Sequence, residues 1–245
     1  MSDDEKFRIE VEQNIEGLKK DRDIQELSRN WLCETARCKY SYNFSWMGRP
    51  IIQYPQDMIA MQEIIWTVQP DLIIETGIAH GGSLVYYASL LEMIGGDGLA
   101  LGIDIDIRAH NRDAIEAHPM SRRIRMIEGS SVSDEVVAQV AEVASGKKSV
   151  LVALDSNHTH EHVLKELKIY AQHVTRGSYI VVFDTIVEDL PDDLAGDRPW
   201  GVGNNPKTAV HEFLSGTDEF EIDKNIESKI LITVAPDGYL RRVKD

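Results

Sequence analysis

Beyond residue 70 the chain settles into a regular alternation that its first part lacks. Residues 1–30 are charged, with Ile9, Val11, Ile15 and Leu18 loosely spaced for one helical face, which predicts a peripheral helical arm. Residues 40–56 carry aromatics, Gly48, Pro50 and Pro55 and read as a structured loop. Asp57 has the chemistry of an N-cap, and Ile59, Ile64, Ile65 and Val68 place a helix over 57–68. Short apolar runs then alternate with helical patterns. Residues 72–75, 99–103, 124–130, 149–155 and 178–183 read as strands, and 84–93, 134–144 and 162–173 as helices between them. The runs at 149–154 and 179–183 are nearly continuous, as strands covered on both faces require. This order predicts an α/β fold, Rossmann-like and doubly wound, with a mostly parallel sheet.

The tail breaks the pattern. Residues 186–206 are polar and rich in glycine and proline, and loops of that length are commonly lids or binding loops, with Gly196, Gly201 and Gly203 as flex points here. A helix is expected over 208–214. Apolar runs at 220–222 and 230–234, with a turn at Pro236-Asp237-Gly238 before Tyr239, predict closing antiparallel strands at the sheet edge. The expected division is a helical arm at 1–40 and one domain at 41–245.

Composition narrows the partners. The 245 residues are 42% hydrophobic and 27% charged, ordinary for a globular chain, with 41 acids against 26 lysines and arginines and a net charge of −15. A nucleic-acid partner needs a basic face to displace counterions, so it is excluded as a general function, as is an anionic membrane surface. Room is left for a local basic pocket. Cys33 and Cys38 form neither a zinc set nor a disulfide framework and suit a reducing compartment. No apolar run approaches the ~18 residues of a membrane span, and the N-terminus is acidic, so a cytoplasmic protein without membrane insertion is expected. A homo-oligomer is left open.

The strongest chemical signal is Glu75-Thr76-Gly77-Ile78-Ala79-His80-Gly81-Gly82-Ser83, a strand ending in an acid, then a glycine turn into a helix. Glycine admits a ligand close to the backbone, and the helix start offers free N–H groups. The spacing is neither the dinucleotide pattern nor a P-loop, and the acid would repel a pyrophosphate. It suits a cationic amino-acid cofactor such as S-adenosylmethionine. Asp104, closing the next strand, can accept from ribose hydroxyls, and Ser130 can border the adenine edge. The cofactor-binding candidates are Glu75, Gly77, Gly81, Ser83, Asp104, Ser130 and Asp155. Asp155 and Asp184 end neighbouring strands, where two carboxylates can chelate a hard cation such as Mg²⁺. Of His158, His160 and His162, the first is assigned as general base and the second is its alternative; no further ligand at zinc spacing accompanies them.

These stretches give the chain its likeness. Trp46-Met47-Gly48-Arg49-Pro50-Ile51, the run from Pro70 to Gly77 with Gly81-Gly82-Ser83, Gly102-Ile103-Asp104-Ile105-Asp106, Leu154-Asp155-Ser156-Asn157-His158, the run from Gly177 to Thr185, and Gly238-Tyr239-Leu240 occur in order. Together they resemble the cephalosporin hydroxylase / rhamnosyl O-methyltransferase family of S-adenosylmethionine-dependent methyltransferases. The resemblance implies methyl transfer to a hydroxyl of a sugar or glycosylated small molecule, assisted by a divalent metal, with Asp155 and His158 catalytic. It is similar to antibiotic-sugar O-methyltransferases whose Mg²⁺ is held by three acids. Asp155 and Asp184 match two of these, and Phe183 stands where such relatives carry the third. That departure shifts a ligand to water or to Glu188 or Asp189. Two rival readings are a hydroxylase or oxidoreductase, which needs two histidines and one carboxylate about iron or a NAD turn, and a non-catalytic S-adenosylmethionine-binding protein marked by Phe183.

Overall fold

The first helix of the chain packs against its last quarter, in a computed structural model that describes residues 1–191, 194 and 196–244. The arm is two helices, α1 (Asp3–Lys20) and α2 (Arg22–Arg37). Ser2 and Glu5 cap α1 reciprocally, and Asp21 accepts from the first amides of α2. No residue of α1 is buried, whereas α2 buries Ser28 and Leu32. Leu32 joins a small core with Tyr54 and Ile186, and beside it the Tyr40 ring lies 5.1 Å from both Trp31 and Phe44. A hairpin of β1 (Phe44–Trp46) and β2 (Arg49–Ile51) follows, then α3 (Pro55–Val68). Asp57 is not the cap of α3. It lies inside the first turn, fully buried, where its carboxylate accepts from Val234 N at 3.0 Å, the Tyr239 hydroxyl at 2.8 Å and the Thr233 hydroxyl.

The alternation then runs β3 (Leu72–Thr76), α4 (Gly82–Ile94), β4 (Leu99–Asp104), α5 (Ala109–Glu116), β5 (Ile124–Glu128), α6 (Asp134–Ala144), β6 (Val150–Leu154), α7 (His160–Tyr170) and β7 (Tyr179–Val182). It closes with α8 (Pro206–Ser215), β8 (Phe220–Ile222), α9 (Lys224–Ile230) and β9 (Tyr239–Arg242). The seven strands order as β5-β4-β3-β6-β7-β9-β8. The first five are parallel, and β9 runs antiparallel between β7 and β8. Side chains alternate across the sheet as the two-residue period demands. Ile73, Leu151 and Val181 pack with α3 and α4, while Ile74, Val152 and Ile180 pack with α6, α7 and α8.

The expected strand over 230–234 is absent. Its first residue ends α9, Leu231 takes a left-handed φ of +61°, and Asp57 captures the Val234 amide that a ladder would have used, along with the Thr233 hydroxyl. The predicted loop at 186–206 opens as a 3-10 turn over Thr185–Asp189 and holds a bridge between Gly201 and Asn204. Gly196 and Gly203 have left-handed φ, and Asp192, Asp193 and Ala195 of that loop lie outside the described residues. No helix among the described residues is long and apolar enough to cross a membrane.

Candidate active site

Strand order reverses on either side of β3, so the carboxyl ends of β3, β4 and β6 open a crevice, the ligand position of open α/β sheets. A cavity of about 880 Å³ lies there, near the top of the ~300–1,000 Å³ range of ligand sites. Gly77, Ser83, Asp104, Ser130, Asp155, His158 and Asp184 all line it. Glu75 and Gly81 do not. Gly77 has φ +83°, and a Cβ there would stand 2.1 Å from the Asp155 carbonyl oxygen, so the β3 loop lies flat against the end of β6 only as glycine. Gly82 is pressed as closely onto the carbonyl of Pro50, which lays the β1–β2 hairpin across the start of α4. Arg49 braces the same loop, donating from Nε to the His80 carbonyl at 3.1 Å and from Nη2 to Asn111 Oδ1 at 3.0 Å, while Asn111 donates to the Ala79 carbonyl.

Asp104 accepts the amides of Ile78 and Ala79 at 2.9 and 3.3 Å, so it shapes the turn while facing the cavity. Glu75 sits directly behind the wall. Ser83 donates to its Oε2 at 2.8 Å, and burial pushes its carboxyl up to about 8, against the opposing hydrogen bond from Ser83. Its Oε1 has no partner. Neither do Thr76 Oγ1, the Tyr87 hydroxyl and both polar atoms of Gln53, a cavity-lining residue only 3% exposed. Each unpaired buried group costs roughly 1–3 kcal/mol. Of these, Gln53 lines the cavity, and its amide can both donate to and accept from a ligand end that carries an ammonium and a carboxylate, as S-adenosylmethionine does. Gln53, an amide amid Ile51, Ile52 and Tyr54, was the one polar signal in an apolar stretch that sequence reasoning passed over.

Asp155, His158 and Asp184 bring one ligand atom each to within 4.8 Å of one another. Asp184 leaves β7 with φ +55°, a left-handed turn that brings its carboxylate toward the end of β6. Its Oδ2 stands 3.2 Å from His158 Nε2, and the His158 ring meets Trp200 edge-on at 4.9 Å. Burial, then the charges of Asp184, Glu75, Glu166 and Asp57, hold the Asp155 carboxyl well above its ordinary range. Carboxyls so close that they resist ionising together fit a site where a cation takes the place of their protons. Two neighbouring carboxylates suit a hard dication, with one imidazole beside them, whereas the iron triad of the hydroxylase reading takes two imidazoles and one carboxylate.

The expected substitute ligands are engaged elsewhere. Glu188 accepts Gly203 N at 2.8 Å and the Asn205 amide, and Asp189 pairs with Lys207 at 2.6 Å. The Phe183 side chain is buried in the core with Tyr87 and Val181. His160, the alternative base, has both ring nitrogens occupied, Nδ1 with Thr208 Oγ1 at 2.7 Å and Nε2 with Glu212 at 3.0 Å, and ties α7 to α8. His162 belongs to a polar knot that was not foreseen. Ser131 and Ser156 both donate to buried Glu166 Oε1, at 2.6 and 2.7 Å, and His162 Nε2 lies 3.3 Å from the same oxygen.

The family model for rhamnosyl O-methyltransferase/CmcI matches residues 38–243. A rhamnosyl O-methyltransferase of Mycobacterium bovis is 30% identical over 203 residues, covering 81% of this chain and 78% of its own. That of Mycobacterium leprae is 29% identical over 202 residues, covering 81% and 82%. Among solved structures, apo CmcI has a TM-score of 0.57 at 18% identity, covering 83% of this chain and 78% of its own. A CmcI structure with Mg and SAM has 0.57 at 20%, covering 82% and 77%. The O-methyltransferase TomG of Streptomyces achromogenes, in complex with SAM, has 0.55 at 14%, covering 92% of both chains. These structural likenesses establish the Rossmann-like methyltransferase fold. With the family model spanning the whole sheet and its site, the chain belongs to the rhamnosyl O-methyltransferase/CmcI family.

Proposed function

We propose that the protein transfers a methyl group from S-adenosylmethionine to a hydroxyl of a sugar or glycosylated small molecule, with the help of a divalent cation. One observation carries this: a single cavity unites the glycine turn and Asp104 with the Asp155–His158–Asp184 cluster. The rhamnosyl O-methyltransferase name of the relatives supports a sugar acceptor, and the Mg and SAM of a CmcI structure support the cofactor pair. When bound, S-adenosylmethionine supplies the methyl group and a dication such as Mg²⁺ supplies the charge that makes the acceptor hydroxyl more acidic.

The chain's own residues divide the rest. Gly77, Ser83, Asp104 and Ser130 hold the cofactor, Gly81 sets the helix start behind them, and Glu75 acts through Ser83 with Gln53 beside it. Asp155 and Asp184 hold the cation. His158 takes the hydroxyl proton: with Nε2–H donated to Asp184, Nδ1 is the free acceptor. Most of the acceleration then comes from positioning. Residues 41–245 form the catalytic domain in this reading, and 1–40 an arm whose α2 adds one wall to the cavity. The free thiols Cys33 and Cys38 support a cytoplasmic setting, and the acidic charge argues against a nucleic-acid acceptor.

The test is methyl transfer from labelled S-adenosylmethionine to methyl α-rhamnoside and other glycosides, with Mg²⁺ or with EDTA. Labelled ether is expected with Mg²⁺ and none in chelator. Tight cofactor binding with no transfer to any hydroxylated acceptor would overturn the reading, and full activity in chelator would remove the metal from it.

A further inference from the structure

The cavity wall is richer in cations than the chain as a whole, with three lysine or arginine side chains against three acids among its described residues. With 41 acids against 26 lysines and arginines overall, acids should outnumber cations on any wall chosen at random. Three acids do line it, but all three are already engaged. Asp104 shapes the glycine turn, and Asp155 and Asp184 form the cation cluster. Away from these, the lysine and arginine side chains Arg37, Lys39 and Arg198 are the only formal charges on the wall among the described residues. Lys39 and Arg198 are exposed as well as lining, which places them at the rim.

Both rim cations are backed by an aromatic ring of the same wall. Lys39 Nζ lies 5.9 Å from the centre of Tyr42, and Arg198 Cζ 5.6 Å from that of Trp200. Trp200 is the ring that meets His158, so Arg198 stands one side chain away from the candidate base. Lys39 is held at φ +50°, a left-handed value that a non-glycine residue adopts only where its surroundings impose it. The arm and the loop after β7 thus each bring one ring-backed cation to the rim of the cavity.

We infer that the acceptor carries an anionic group, a carboxylate or a phosphate, which Lys39 and Arg198 receive at the rim while the hydroxyl stands at the inner cluster. This rests on the methyl-transfer reading and names the chemistry of its substrate. In an acidic chain such a pair both attracts an anion and orients it.

The test uses the full chain loaded with S-adenosylhomocysteine, titrated calorimetrically with the 4-carboxyphenyl, 4-phosphonooxyphenyl and 4-carbamoylphenyl α-rhamnosides. One or both anions should bind at least tenfold more tightly than the neutral carboxamide, and the stronger of the two identifies the source. The margin should shrink as salt rises toward 1 M, where the screening length falls to about 3 Å. It should vanish in the double variant Lys39→Met, Arg198→Met, which still binds S-adenosylhomocysteine. Equal binding of amide and anions, an unchanged margin in the double variant, or no binding of any rhamnoside beside intact S-adenosylhomocysteine binding would each overturn the inference. Failure of the wild-type chain to bind S-adenosylhomocysteine would instead strike the reading beneath it.

Discussion

At the scale of single residues, contact between β3 and β6 decides what is tolerated. Gly77→Ala sets a methyl group 2.1 Å from the Asp155 carbonyl oxygen on a backbone of φ +83°. The loop must lift, taking with it the Ile78 and Ala79 amides that Asp104 holds. We expect a loss of over about 2 kcal/mol in stability, with S-adenosylhomocysteine binding lost; an unchanged urea midpoint and affinity would show that the loop gives way freely. His158→Ala tests the base. Turnover should fall by roughly 10²–10⁴ with cofactor affinity intact, and added imidazole should restore part of it. A fall without rescue, matched by a lower unfolding midpoint, would make the His158–Trp200 contact a packing one. That Gly77, Asp104, Asp155 and Asp184 share one cavity was legible in the sequence, because each ends a strand or starts a turn at the same edge of the sheet. Gln53, Lys39 and Arg198 were not, because only the folded chain brings them to the same wall.

Among the elements, the parallel strands were the easiest to read, being covered on both faces and therefore apolar at nearly every position. The segment 230–234 carries the same apolar, β-branched signature and is no strand, because its hydrogen-bonding partner is the carboxylate of Asp57, far away in sequence on α3. That carboxylate has a measurable consequence. Burial pushes Asp57 up from 3.8 to about 6, opposed by its bonds to Thr233, Val234 and Tyr239, and pushes Glu75 from 4.5 to about 8. A raised carboxyl value means that the folded chain keeps a proton the unfolded chain has already released. Stability is therefore fullest below the unfolded values and falls as pH rises, through about 6 for Asp57 and about 8 for Glu75. The unfolding free energy read from urea titrations should drop between pH 5 and pH 8 by an amount on the order of a few kcal/mol. Glu75→Gln, which can still accept from Ser83, should remove a distinct part of the decline above pH 6, Asp155 keeping its own share; a midpoint that rises with pH would contradict the assignment.

On the scale of the whole molecule, chemistry and recognition come from different stretches of chain. The cation cluster and the glycine turn belong to the sheet, at the ends of β3, β6 and β7. The outer wall is drawn from α2 and from the loop after β7, neither of which the sheet's hydrogen bonding depends on. Leu32, Ala36 and Arg37 reach the cavity, yet precede residue 38, where the match to the family begins. Composition had left room for a basic pocket in an acidic protein without saying where, since a charge total carries no positions. The placement of α2 has an evolutionary meaning. A lineage can reshape part of the wall that greets the acceptor by altering α2, while the machinery for alkylation stays as it is. New acceptors are then within reach of small changes in and around α2, where replacement disturbs the sheet least.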